Sequence, residues 1–211
     1  KFNKKFSSLT AEQFIKKMIY KKTKCKYLYV SKNFRFGFKR RGNIQTLKNF
    51  EKQFNYKSIV TKPLKKNNQT ISSTFIRKKI RAGKIELINK LLNRNWCVEG
   101  KVIKGKKRGR KIGFPTCNMN LNSYVIPKLG VYAVKVTTKG LIKNGIANIG
   151  YRPTFNGQSL LLETNIFGIN KNLYNKVISV SFKKFIRSEK KFKNFEYLKK
   201  QIKLDIKQAK K

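Results

Sequence analysis

The chain has 211 residues, with 53 Lys and Arg against 8 Asp and Glu, no His, and a formal net charge of +45. At 39% hydrophobic and 12% aromatic residues it can bury a core, which excludes a disordered polyelectrolyte. Without His there is no Ser-His-Asp triad, no Cys-His pair and no imidazole metal ligand.

Helices and short strands alternate before residue 95. Thr10 and Gln13 form a capping box, with Leu9 and Phe14 placed as its hydrophobic staple, and Phe14, Ile15, Met18 and Ile19 give one apolar helix face. Tyr27 to Val30 reads as a strand, followed by the loop SKNFRFG, a helix carrying Leu47, Phe50 and Phe54, and a strand near Ser58 to Val60. In ISSTFIRKKIRAG, consecutive hydroxyl residues open a helix and Gly83 closes it. This order predicts part of an α/β domain.

After Trp96 the rhythm changes to strands and turns. GVYAVKVTT, GLIKNGIANIG, SLLLETNIF and KVISVSF alternate or run apolar, and Asn144-Gly145 and Asn156-Gly157 read as hairpin turns. Phe192, Phe195, Leu198, Ile202, Ile206 and Ala209 fall at helical spacings, so a compact antiparallel barrel closed by an amphipathic helix is expected. Cys25, Cys97 and Cys117 fit neither a disulfide framework nor a zinc ribbon. With no membrane-length apolar run and no signal peptide visible, a reducing cytoplasm is the expected setting, and no membrane partner is expected.

Three segments carry candidate chemistry. In the loop from Gly105 to Asn118, Gly105, Gly109 and Gly113 expose backbone N–H groups among the cations Lys106, Arg108 and Arg110, which suits a polyphosphate. Thr116 and Asn118 offer neutral oxygens on one side of an extended segment, a pair suited to Mg²⁺ that already carries ATP phosphates; a basic hairpin loop with a Pro turn is the plain alternative. Glu163 is the sole acid between Glu99 and Glu189 and sits in an apolar strand, so it is either a general base or an outward carboxylate neutralised by Lys. Ser72, Ser73 and Thr74 with Arg77 one turn on form a phosphate-binding helix start or an ordinary N-cap.

Together these residues resemble the bacterial bifunctional riboflavin kinase/FAD synthetase family. GKKRGRKIGFPTCN looks like the family's glycine-rich loop ending in Pro-Thr-Ala-Asn, and GVYA, NIGYRPTF and FKKFIRSEKKF match further blocks in order. The resemblance implies that residues 96–211 are a riboflavin kinase module, an all-β six-stranded Greek-key barrel with a C-terminal helix. By the same resemblance Gly105, Lys106, Arg108, Gly109, Arg110, Gly113, Pro115, Thr116 and Asn118 bind ATP, and Thr116 and Asn118 hold Mg²⁺. Glu163 is then the base facing the riboflavin 5′-hydroxyl, with Phe185 and Arg187 at the flavin ring. Departures from the pattern are Cys117 for Ala, and Asn165, Gly168 and Asn175 where His, Asp and Gly are common.

Residues 1–95 resemble the same family's adenylyltransferase domain, a Rossmann-like nucleotidyltransferase fold. SKNFRFG carries Asn33 at a substrate-contacting position, and ISSTFIR matches the phosphate-binding motif with Ser72, Ser73, Thr74 and Arg77. The domain's usual first strand and His-x-Gly-His motif have no counterpart, so the resemblance implies a partial, N-terminally truncated domain. Phosphorylation of riboflavin without adenylylation of FMN is the expectation, with riboflavin, FMN and ATP as ligands.

The rival function is RNA binding through the basic surface. Only 10 of the 53 basic residues are Arg, and Lys is spread along the whole chain with Asn, a pattern that speaks for compositional bias and against nucleic acid.

Overall fold

Thr10 opens an early helix by the predicted capping box: its hydroxyl accepts from the N–H of Gln13, and the Gln13 side chain accepts from the N–H of Thr10. The computed structural model describes residues 2–105, 107–121, 123–138, 140–154, 157–169 and 171–210, with backbone only at 108, 153, 154, 157 and 158. Its contacts divide the chain into two compact units, Lys1–Ile71 and Ser72–Lys211.

The first unit contains α1 (Lys4–Ser7), α2 (Ala11–Phe14), π-helical turns over Ile15–Thr23, β1 (Tyr27–Ser31), α3 (Ile44–Asn49), α4 (Glu51–Phe54), β2 (Lys57–Thr61) and a hairpin of β3 (Lys65–Lys66) and β4 (Gln69–Thr70). Strands β1 and β2 pair in parallel, Tyr27 with Lys57 through Ser31 with Thr61. Parallel pairing requires a crossover, which α3 and α4 supply. Ile15, Ile19, Val30, Phe36, Leu47, Phe54 and Tyr56 form this unit's own core. Tyr56 donates its hydroxyl to the carbonyl of Leu47, and burial pushes that phenol up to about 12.

In the second unit α5 (Ser73–Arg81) and α6 (Ile85–Leu92) precede β5 (Cys97–Lys101), α7 (Arg108–Lys111), β6 (Cys117–Asn120), β7 (Gly130–Thr138), β8 (Leu141–Thr154), β9 (Gly157–Ile166), β10 (Val177–Arg187) and α8 (Phe195–Lys210). The division between units therefore falls before α5, whereas the change of rhythm in the sequence comes near residue 95. The reason is packing: Ile80, Ile85 and Ile88 join the barrel's core. Asn89 of α6 also donates to the carbonyl of Phe182 and accepts from the N–H of Trp96, both at 2.8 Å.

The six strands form one antiparallel sheet in the order β5-β10-β7-β8-β9-β6. Ile103, just past β5, bridges to Asn118 of β6, so the sheet curls into a nearly closed barrel. The interior holds Val98, Val134, Val136, Ile149, Leu162 and Val180 around Tyr132 and Phe182, whose rings meet edge to face at 5.2 Å.

Two expectations are corrected here. Asn144-Gly145 is no turn: it lies inside β8, with Gly145 paired to Val134 of β7 and Ile166 of β9. A Cβ at Gly145 would stand 2.4 Å from the carbonyl oxygen of Asn165, so this glycine permits close strand approach. The hairpin turns instead between the paired Thr138 and Leu141, where Gly140 has φ 78°. At the second expected turn Thr154 pairs with Gly157, and Asn156 lies outside the described residues. Phe192 precedes α8, and the most buried residue of that helix is not apolar but Asp205.

Candidate active site

Strand alternation turns Leu160, Leu162 and Thr164 of β9 into the barrel and leaves Leu161, Glu163 and Asn165 on the outer face. Glu163 is paired across the sheet with Asn118 of β6 on one side and Asn148 of β8 on the other. The glycine loop and α8 cover this face, enclosing a cavity of about 850 Å³. Ile146, Leu161, Leu198 and Ile202 give it apolar walls, and Phe192 and Phe195 stand at α8's start.

The three ion pairs found among the described residues all line this cavity. Arg152 donates from Nε and Nη2 to Oε2 of Glu163 at 3.0 and 2.7 Å, and its Nη1 lies 3.4 Å from Oε1 of Glu189. Burial would weaken the Arg152 cation, but its hydrogen bond to Glu163 and the charges of Glu163 and Glu189 raise its pKa above the ordinary value. Arg187 gives Nε and Nη2 to Asp205, with side chains only 15% and 2% exposed.

Asn118 has a buried Oδ1 without a hydrogen-bond partner among the described residues. An orphaned acceptor of this kind costs about 1–3 kcal/mol, which a ligand at the site would recover. The loop is shaped around it: a Cβ at Gly105 would overlap Nδ2 of Asn118, and one at Gly109 would stand 2.4 Å from the carbonyl oxygen of Phe114. Gly113 has φ 86°, a conformation suited to glycine. Asn165, one of the departures from the family pattern, ties the loop to β9 by donating Nδ2 to the carbonyl of Pro115 at 2.7 Å.

A second cavity, of about 330 Å³, is lined by Arg110, Pro115, Cys117, Lys171, Leu173 and Tyr174 among others. Among the described residues Thr116 alone lines both cavities. Burial raises the Cys117 thiol above its usual pKa, which keeps it protonated beside this space.

The structure thus brings together Gly105, Gly109, Thr116, Asn118, Glu163 and Arg187 at the larger cavity, and Arg110, Pro115 and Thr116 at the smaller. Lys106 and the side chain of Arg108 lie outside the described residues. Phe185 lines neither cavity: its ring meets Tyr132 at 5.1 Å, with the Lys128 ammonium 4.9 Å from its centroid. Register shifts in β10 between Phe182 and Lys184 and between Phe185 and Arg187 break the simple alternation that would have kept Phe185 and Arg187 on one face. Asn33 sits exposed in the turn after β1 of the first unit. In the second unit Ser72 caps α5 by accepting from the N–H of Phe75, while Ser73, Thr74 and Arg77 are exposed.

Sequence reasoning missed Asn148, Arg152, Glu189 and Asp205. The scarcity of acids that singled out Glu163 also marks Glu189 and Asp205, the chain's one Asp, and Asn148 and Arg152 stand in the NIGYRPTF block.

Residues 92–211 match the family described as riboflavin kinase, and residues 1–75 match FAD synthetase. The chain is 44% identical to the bifunctional riboflavin kinase/FMN adenylyltransferase of Buchnera aphidicola subsp. Schizaphis graminum, over all of this chain and 69% of that protein. It belongs to the bifunctional riboflavin kinase/FMN adenylyltransferase family. The enzyme of the same name from Haemophilus influenzae is 40% identical over 100% of this chain and 68% of its own length. A crystal structure described as a macrolide-efflux protein from Streptococcus pneumoniae superposes with a TM-score of 0.85 at 32% identity, covering 99% of this chain and 67% of that one. Among the described residues no helix is long and apolar enough to cross a membrane. The riboflavin kinase domain of this bifunctional family thus contains the outer-face cavity, the glycine loop and α8.

Proposed function

We propose that this chain transfers the γ-phosphoryl group of ATP to the 5′-hydroxyl of riboflavin, giving FMN and ADP. The observation that carries this reading is that two cavities of different character share Thr116. The larger, with its apolar walls and Glu163, suits the flavin; the smaller, with Arg110 and Lys171, suits the nucleotide. The reacting groups would then meet beside Thr116 and Asn118.

The donor set fits a hard divalent cation, because Thr116 offers a neutral oxygen and Asn118 a buried one that no described residue uses. Mg²⁺ held there would supply neutralisation of the phosphate charge. The chain's own residues do the rest. Glu163 accepts the proton of the 5′-hydroxyl as its oxygen bonds to the γ-phosphorus, while the bond to the bridging oxygen breaks and ADP leaves with the electron pair. Arg110 steadies the phosphates, and α8 excludes water from the flavin side.

Two finer readings go with this one. The last strand, β10, inserts between β5 and β7, which supports a Greek-key barrel. The match over residues 1–75 supports reading the segment before the kinase as nucleotidyltransferase sequence, in which Asn33, Ser72, Ser73, Thr74 and Arg77 would serve FMN adenylylation. The kinase reading is tested by incubating the folded chain with riboflavin, Mg²⁺ and ATP. FMN and ADP should appear in equal amounts, and Glu163→Gln should lower kcat on the order of 100-fold; folded protein that makes no FMN overturns it.

A further inference from the structure

Resting on the reading of Glu163 as the base, we propose that Arg152 is its positioning residue, gripping one carboxylate oxygen, leaving the other for the substrate hydroxyl, and held in turn by Glu189. An arginine that meets a carboxylate fork to fork engages both oxygens. Here Nε and Nη2 converge on Oε2 of Glu163, and Oε1 accepts no hydrogen bond among the described residues. The carboxylate is fixed in place with one oxygen still able to take a proton.

The arginine is fixed as well. Its Nη1 donates to the carbonyl of its neighbour Tyr151 at 3.0 Å and approaches Oε1 of Glu189 at 3.4 Å. Glu189 reaches this position over Gly150, where a Cβ would stand 2.0 Å from its Oε1 and 2.9 Å from Nη1 of Arg152. Gly150 does not have a positive φ, so what the position requires is room. Two carboxylates on one guanidinium leave the trio with net negative charge, which makes Arg152 a poor direct clamp for a phosphoryl group. Its effect therefore runs through Glu163.

The test is a double-mutant cycle on the full chain, with riboflavin, ATP and Mg²⁺ as substrates. Arg152→Met should lower kcat by up to about 100-fold while the KM values for ATP and riboflavin change little. Arg152→Lys, which keeps the charge but not the paired donors, should restore part of the loss. In a Glu163→Gln background either Arg152 substitution should cost nothing further, because the group it positions is already disabled. Losses that multiply in the double variant, or a loss confined to KM for ATP, overturn the proposal while leaving the base reading intact. Wild-type turnover by Glu163→Gln alone would instead remove the base reading itself. If Arg152→Met does not fold, Arg152→Lys in the two backgrounds completes the same cycle.

Discussion

A Cβ on Gly105 would overlap Nδ2 of Asn118, whose Oδ1 is buried with no partner among the described residues. The glycine thus makes room for an amide whose oxygen the described residues leave under-bonded. In the proposed site this is stored cost recovered on binding the nucleotide with its metal.

Asn118→Ala is accordingly expected to separate stability from activity. Without nucleotide its melting temperature should equal or exceed that of the wild type, while Mg²⁺-dependent turnover falls on the order of 100-fold. Gly105→Ala should lose turnover as well, because Asn118 must move. Thermal melts alongside FMN formation would check both.

Asp205 makes a different prediction. It accepts from Arg187 and from Nε2 of Gln201 at 2.9 Å, and tethers α8 to the end of β10. Asp205→Ala leaves a mostly buried guanidinium unpaired, at a cost of about 3 kcal/mol in chemical denaturation, and should raise KM for riboflavin because α8 walls the cavity. Replacing both partners, Arg187→Met with Asp205→Leu, should recover most of the stability and so expose any separate contribution of Arg187 to binding.

In the first unit Ser58 donates its hydroxyl and its N–H to Oε1 of Glu51. The hydroxyl bond above all, with the N–H bond, holds that carboxyl below its usual value of 4.5. A carboxyl lowered in the folded state stabilises above its unfolded pKa, and that stabilisation is lost as pH falls through the folded value. Glu51→Gln should therefore melt lower than wild type at pH 7, with the difference shrinking as pH falls below 4.5 and through the lowered pKa of the folded carboxyl. A difference that persists in acid would show that the contact is not electrostatic.

The strand Gly145 occupies ties fold to chemistry. Gly145→Ala pushes against the carbonyl of Asn165, whose amide holds Pro115 at the end of the glycine loop. Both stability and kcat should fall; a loss of stability with unchanged kcat would separate the loop from this strand. Phe182→Ala, which empties the barrel centre beside Tyr132, should cost about 4 kcal/mol by denaturation, with Trp96 fluorescence as the probe.

Local patterns in the chain were legible wherever local chemistry decides. The capping box at Thr10, the cap at Ser72, four of the barrel's six strands and the place of Glu163 on a strand face follow from spacing and residue type. Asn144-Gly145 misled because an Asn-Gly pair carries the same turn signal whether or not two neighbouring strands claim it; only tertiary pairing distinguishes them. Phe185 and Arg187 parted because of bulges in β10, which leave no mark in residue type. Arg152 escaped notice for a related reason: among 53 basic residues, the one that meets Glu163 is identified by its side-chain reach along β8 and β9 in the fold, not by its own chemistry.

The chain's acids are as informative as its cations are uninformative. Glu163, Glu189 and Asp205 line one cavity, and Glu51 serves the other unit's fold, so half of the eight carboxylates have a specific partner. Substitutional tolerance should be lopsided in consequence. Lysines can drift over most of this surface at little cost, whereas neutralising any one of these four carboxylates removes a specific contact.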